Sequence, residues 1–124
     1  MNTAAQVLTI VEGLVLIGVG VLEAFAFRNQ RFHSLFLIRP EDTEAVRLWA
    51  INAGFSDIVW GFGAISGVVL VILGQEQVGR ALVIFVSIAM IVLGFVLLFT
   101  ELRLWKTAAG QVLLPVLVLV AMSF

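Results

Sequence analysis

Four long apolar segments make up most of this chain and constrain its fold more than any other feature. A bilayer hydrocarbon core is about 30 Å thick, so a helix needs about 20 apolar residues to cross it. Lipid cannot hydrogen-bond an unpaired backbone group, which restricts spanning segments to helices or closed barrels. The predicted spans cover about residues 5–27, 46–73, 80–100 and 107–124. We therefore predict an all-α polytopic membrane protein, a four-transmembrane-helix bundle in a single integral membrane domain over residues 1–124.

The composition excludes several classes of protein. Hydrophobic residues are 62% of the chain and charged residues 12%, whereas ordinary globular chains are about half apolar and about a quarter charged. The chain contains no cysteine and one histidine, which excludes disulfides, thiolate metal sites and iron–sulfur clusters. The net charge of −1 gives no case for a nucleic-acid partner. We expect no metal and no cofactor.

The positive charges predict the orientation, because short cytoplasmic loops collect Lys and Arg. The link between the first and second spans carries four arginines, Arg28, Arg31, Arg39 and Arg47. The link between the third and fourth spans adds Arg103 and Lys106, whereas the opposite side has Arg80 alone. We expect both links in the cytoplasm and both termini on the outer side.

The first link, residues 28–42, is too short to span the bilayer and suits a cytoplasmic stretch lying in the headgroup region. Its segment 31–39 combines aromatic and aliphatic side chains with flanking arginines. Two interpretations are open: a plain interfacial connector, or a segment that recognises lipid headgroups or acts as a gate. His33 in this segment is read as a headgroup contact, although histidine can also switch its charge.

Three acidic residues lie inside the predicted spans, where charges are costly and face protein, water or the interface. Glu12 and Glu23 project along one stripe of the first helix, about 16 Å apart by helix rise. Glu23 is near the basic cytoplasmic end, where an arginine can pair with it. Glu12 lies deeper and is either protonated and hydrogen-bonded or linked to the outer side through Arg80. Asp57 is the acid of the second helix.

Asp57 lies on a stripe of small residues that lets two helices approach closely. The stripe consists of Ala50, Ala53, Gly54, Gly61 and Ala64. A neighbouring stripe contains Trp49, Asn52, Ser56, Gly63 and Gly67. We expect Gly54, Gly61, Gly63 and Gly67 to serve helix packing and the second helix to be the buried one. Asp57 is equally compatible with a hydrogen-bonded packing device and with a ligand or proton site.

Several short motifs resemble those of the domain-of-unknown-function 1304 family over nearly the whole chain. They are Leu22-Glu23, Asn52-Ala53-Gly54-Phe55, Gly110-Gln111 and the later Pro115. The family pattern has Asn-Gln-Gly-Leu-Tyr-Asn where this chain has residues 52–57, so Ser56 and Asp57 replace a tyrosine and an asparagine. The resemblance implies a small bacterial membrane protein with four helices and no established activity. It therefore implies a multi-pass protein of the bacterial plasma membrane.

The resemblance carries over Glu23, Asn52 and Gln111, one residue from each of the first, second and fourth spans. With Ser56 and Asp57 added, we hypothesise one intramembrane polar cluster between helices. Glu12 is a second intramembrane acid outside this set. The four arginines of the first link are predicted as a cytoplasmic basic group.

The sequence leaves three functions open. The first is a non-enzymatic accessory or self-associating membrane protein, whose partners are the lipid bilayer, further copies of itself or a larger membrane complex. The second is an oligomeric transporter of a small solute or proton that uses the intramembrane carboxylates, because acids in spans often mark a pathway. The third, a membrane enzyme or lipid-binding protein, lacks a recognisable nucleophile, base or metal set. We expect no enzymatic activity.

Overall fold

The computed structural model describes residues 1–27, 39–42 and 44–124. It contains four long helices, α1 (Thr3–Phe25), α2 (Arg47–Ile72), α3 (Glu76–Thr100) and α4 (Trp105–Met122). Short 3-10 turns at Pro40–Asp42 and Leu102–Leu104 precede α2 and α4. The described residues form no strand. The prediction of an all-α chain with four helices able to cross a membrane is confirmed, and the side on which the termini lie stays a prediction.

The fourth span is longer than its predicted range, which began at residue 107. Helix α4 alone has 18 residues, slightly fewer than the about 20 that a bilayer requires. The preceding 3-10 turn extends the apolar helical segment to Leu102–Met122, which has 21 residues. The turn therefore supplies the length that α4 lacks.

Gly74 ends α2 and allows the chain to reverse directly into α3. Its φ of +93° lies in the left-handed region that glycine tolerates and side-chain-bearing residues avoid. Its N–H donates to the carbonyl of Val71 at 3.1 Å, and the N–H of Gln75 donates to the carbonyl of Leu70 at 2.8 Å. These two bonds are a Schellman motif, which satisfies carbonyls at the helix end. Because the turn is so short, α3 begins at Glu76 rather than at the predicted residue 80.

The chain divides into two compact units. The four-helix unit contains residues 1–13 and 63–124, and the two-helix unit contains residues 14–62. The first therefore holds α3, α4 and parts of α1 and α2, and the second holds the remaining parts of α1 and α2. The prediction of one integral membrane domain stays a prediction.

Every helix contributes to the core of the four-helix unit. Its buried residues are Ala5 from α1, Val68 from α2, Val83 from α3, and Val118 and Met122 from α4. All five are small or of medium size, which allows helices to pack closely where lipid offers no hydrophobic driving force between them. The predicted bundle is present in this unit.

Glycine makes the closest contacts between α2 and α3. A Cβ atom at Gly67 would lie 2.6 Å from Cγ2 of Val83 and 2.9 Å from the carbonyl oxygen of Gly79. A Cβ atom at Gly79 would lie 2.8 Å from the backbone nitrogen of Val71. No side chain fits at either position without moving a backbone. Gly67 therefore has the packing role predicted for it, and Gly79 is a partner that the sequence did not single out.

The two-helix unit has a similar contact between α1 and α2. A Cβ atom at Gly54 would lie 2.5 Å from the carbonyl oxygen of Gly20 and 2.6 Å from the backbone nitrogen of Ala24. Gly54 thus packs as predicted. The other predicted packing glycines differ: Gly61 is buried, whereas a Cβ atom at Gly63 would make only an ordinary 3.5 Å contact with Val86.

Helix α2 is not the most buried helix, contrary to the expectation from its two stripes. A larger share of α1 is buried than of α2. The small-residue stripe does face inward, with Ala50 and Ala64 fully buried. The neighbouring stripe is exposed over its first half, where Trp49, Asn52 and Ser56 lie, whereas its glycine end packs against α3.

The Gly54 contact predicts opposite effects for two glycine-to-alanine substitutions. Gly54→Ala forces backbone atoms apart, and we expect a loss of about 1–3 kcal/mol in the free energy of unfolding, typical of overpacking. Gly18→Ala in α1 is the matched control, because a Cβ atom there would meet nothing within 4 Å. We expect it to gain about 0.5–1 kcal/mol from helix propensity. Denaturant unfolding in detergent, followed by circular dichroism, measures both; equal changes would contradict the contact.

Candidate intramembrane carboxyl sites

Glu12 is buried in the four-helix unit, with 2% of its surface exposed. Its Oε2 accepts a hydrogen bond from the Ser87 hydroxyl on α3 at 3.3 Å. Its Oε1 is buried and finds no hydrogen-bond partner in the described part of the chain. A carboxyl group therefore lies between α1 and α3 with half of its hydrogen-bonding capacity unused.

The helical repeat explains why Ser87 meets this carboxyl group. Val83, Val86, Ser87, Met90 and Gly94 are buried along one face of α3 at spacings of three and four residues. Ser87 is the polar member of this apolar face. Ser87 is not among the residues predicted from the sequence; a lone serine in the most apolar span is the signal that could identify it.

A second buried polar group on α1, the Thr9 hydroxyl, forms its hydrogen bond within its own helix. Thr9 lies almost one turn before Glu12 and is fully buried, but its hydroxyl donates to the carbonyl of Ala5 at 2.7 Å. Such bonds within one helix leave little for a neighbouring group to use. Thr9 therefore adds polarity to the same end of α1 without providing Glu12 with a partner.

The second carboxyl site is in the two-helix unit, where Glu23 of α1 and Asp57 of α2 are neighbours. Glu23 is 9% exposed, and its Oε2 is buried without a hydrogen-bond partner among the described residues. Asp57 is half-buried and close enough to act on Glu23 as a like charge. Glu23 precedes Ala24, which contacts Gly54, and Asp57 precedes Ile58, which contacts Gly20, so the two acids flank the glycine contact between the helices.

The other members of the predicted polar cluster have separate environments. Asn52 is exposed and its amide donates to the carbonyl of Leu48, one turn earlier in the same helix, at 2.9 Å. Ser56 is exposed on the same side of α2. Gln111 belongs to the four-helix unit, where its amide donates to the carbonyl of Met90 at 3.3 Å. Of the five residues, Glu23 and Asp57 both flank the glycine contact of the two-helix unit, and the five-residue cluster as a whole stays a prediction.

The predicted basic group is described in part. Arg28 and Arg31 lie outside the described residues, as do His33 and most of the link containing it. Arg39 is exposed and pairs with Asp42 at 2.8 Å. Arg47 is the first residue of α2 and is exposed. A role for these arginines as a group is therefore still a prediction.

Within the described ranges, no group of three or more His, Asp or Glu side chains is arranged to hold a metal ion. The two carboxyl sites can accept or share protons and can accept hydrogen bonds. Glu12 offers one open acceptor position beside a serine, and Glu23 and Asp57 together offer a paired acidic position.

Comparison with known proteins identifies one family. The family model described as a protein of unknown function, DUF1304, matches residues 10–123. No curated protein matches the chain, and no solved structure does.

Proximity of Glu23 and Asp57 predicts energetic coupling between them. We expect the effects of Glu23→Gln and Asp57→Asn on the free energy of unfolding to be non-additive by at least about 0.5 kcal/mol, as for residues in contact. Each amide keeps the shape of its acid and removes the charge. In the control cycle, Glu12→Gln with Asp57→Asn should add within about 0.5 kcal/mol, because Glu12 bonds to Ser87 instead. Additivity in the first cycle would refute the pairing.

Proposed function

Since the chain belongs to the DUF1304 family, whose function is unknown, we propose from its own geometry that it is a non-enzymatic protein of the bacterial plasma membrane that assembles with itself. The observation that most directly supports this proposal is the exposed polar face of α2, which contains Asn52 and Ser56. Side-chain amides and hydroxyls facing lipid find no hydrogen-bond partner there, whereas a neighbouring helix can provide one. The face is therefore better suited to a protein partner than to hydrocarbon.

The shape of this face supports assembly. A shallow cavity of about 400 Å³ is lined by Asn52, Phe55, Ser56, Val59 and Trp60. One amide hydrogen of Asn52 is donated to the carbonyl of Leu48 in the same helix, and the second amide hydrogen is available to a partner. Hydrogen bonds between membrane helices contribute about 0.6 kcal/mol on average, so several contacts along the face are required for a stable dimer. The apolar side chains beside Asn52 and Ser56 provide that additional contact area.

Cysteine cross-linking tests the assembly directly, because the chain has no native cysteine. We expect Asn52→Cys and Ser56→Cys to form disulfide-linked dimers in proteoliposomes when an oxidant is added. Val21→Cys is the control: it is exposed on α1, next to Gly20, which contacts α2 near Asn52. It should cross-link much less.

A second measurement separates assembly from random collision. Cross-linking of Ser56→Cys should persist when the protein is diluted with lipid before the oxidant is added. Adding Asn52→Leu to the Ser56→Cys variant should weaken that cross-linking. Equal cross-linking at all three positions, or a monomer at every protein-to-lipid ratio, would overturn the proposal.

The buried carboxyl groups favour a second candidate, proton-coupled transport by an oligomer. Oε1 of Glu12 and Oε2 of Glu23 are buried without hydrogen-bond partners among the described residues, and acids in spans often belong to proton pathways. Because neither oxygen bonds to a neighbouring helix in the described part of the chain, neither contributes a hydrogen bond to helix packing.

A vesicle assay distinguishes the two candidates. For transport, native protein should collapse an imposed pH gradient faster than empty vesicles do, with valinomycin present to balance charge. Glu12→Gln, Glu23→Gln and Asp57→Asn should each slow this flux while circular dichroism shows unchanged helix content. Proton flux equal to that of empty vesicles, together with a cross-linked dimer, would leave assembly as the function.

A further inference from the structure

An apolar groove runs between α3 and α4 in the four-helix unit, with a volume of about 490 Å³. We call it the α3–α4 groove and define it by Gly94, Phe95, Trp105, Ala108, Ala109 and Gly110. These side chains are apolar or absent, apart from the indole N–H of Trp105. A ligand in the groove would therefore make mainly van der Waals contacts.

Small residues create the groove. At its base, Gly94 is so close to α4 that a Cβ atom would lie 2.5 Å from Cγ2 of Val112, and Ala108 is buried beside it. Toward its opening, Gly110 is exposed, and a Cβ atom there would meet nothing within 4 Å. The helices thus touch at one side of the groove and leave space at the other.

A positive charge lies at the end of the groove near the α3–α4 turn. Nζ of Lys106 is 5.6 Å from the ring centroid of Trp105, which lines the groove. The Arg103 guanidinium is paired with Glu101, to which it donates two hydrogen bonds of 2.9 Å. These bonds hold the pKa of Glu101 at about 2, so the pair stays charged and compensated at neutral pH. Glu101 thus neutralises the positive charge of Arg103 and not that of Lys106.

We propose that the α3–α4 groove holds one acyl chain of an anionic phospholipid, whose phosphate pairs with Lys106. The apolar lining suits hydrocarbon, and the lysine next to Trp105 suits the headgroup that follows it. A second copy of the chain fits less well. A facing apolar span would leave Lys106 without an anionic partner, whereas the phosphate of an anionic lipid provides one.

The lipid site is independent of the proposed assembly face. That face is on α2 in the two-helix unit, whereas the groove is formed by α3 and α4 in the four-helix unit. The Asn52→Cys cross-link reports on the first and lipid labelling on the second, so either can fail alone.

The test uses the full chain in vesicles that contain phosphatidylglycerol or phosphatidylcholine with a photoactivatable acyl chain. After irradiation, mass spectrometry maps the labelled residues. We expect preferential labelling of the groove over other exposed helix faces, and more label from phosphatidylglycerol. Gly110→Leu should fill the groove and abolish its label, without a clash that would unfold the protein. Gly18→Leu is the matched control, since its position is equally open, and it should leave the label unchanged.

Lys106→Gln separates the headgroup contact from the groove itself. One lysine contributes about fivefold to binding of anionic lipid, so the phosphatidylglycerol-to-phosphatidylcholine labelling ratio in the groove should fall by about that factor. Arg80→Gln, at the other end of α3, should not change this ratio. Uniform labelling of all exposed faces, groove label that survives Gly110→Leu, a ratio insensitive to Lys106→Gln, or a protein–protein cross-link through the groove would each overturn the proposal.

Discussion

Direct contact between helix backbones at glycine is the interaction on which this structure depends. Lipid tails are as apolar as leucine, so membrane helices gain little by burying apolar side chains against each other, and close packing holds them instead. Gly20 meets Gly54, Gly67 meets Gly79, and Gly94 meets a valine of α4. Each contact fixes the distance between two helices and the rotation of each. The position of every other side chain at these contacts follows from that geometry.

The acidic residues illustrate this dependence. Glu23 and Asp57 are next to Ala24 and Ile58, the residues that Gly54 and Gly20 contact, so the close approach that packs the helices also places two carboxyl groups beside it. Glu12 is positioned differently, by Ser87 on the inward face of α3. The two sites therefore differ in kind: one is a pair of acids beside a backbone contact, and the other is a single acid beside a hydroxyl in an apolar core.

The four spans were predictable because crossing a bilayer depends on length and mean polarity, which any long segment displays without knowledge of its neighbours. Which residues face each other across two helices was not predictable in this way. Gly54 stood out within a stripe of small residues, but its partner Gly20 did not, since glycine is frequent in membrane helices and only the facing helix selects one. Ser87 was equally unpredictable, because only the facing helix distinguishes a serine that has a partner from one that does not. The exposed side of Asn52 was also unpredictable, because a polar stripe looks alike whether it faces protein or lipid.

Glycine packing makes the buried acids harder to explain as structural devices. Helices fixed by backbone contact need no carboxyl group for their register, and an acid at the bilayer centre costs about 2.5–3.5 kcal/mol on insertion scales. Serine or asparagine would bond across a helix pair at lower cost. Here Glu12, near the middle of α1, and Glu23, near its end, each retain one buried oxygen without a partner among the described residues, so the available bonds do not satisfy either carboxyl group. A role that uses the carboxyl group itself accounts for these two residues better than packing does, whereas packing with a second copy accounts better for Asn52 and Ser56 on the exposed face of α2.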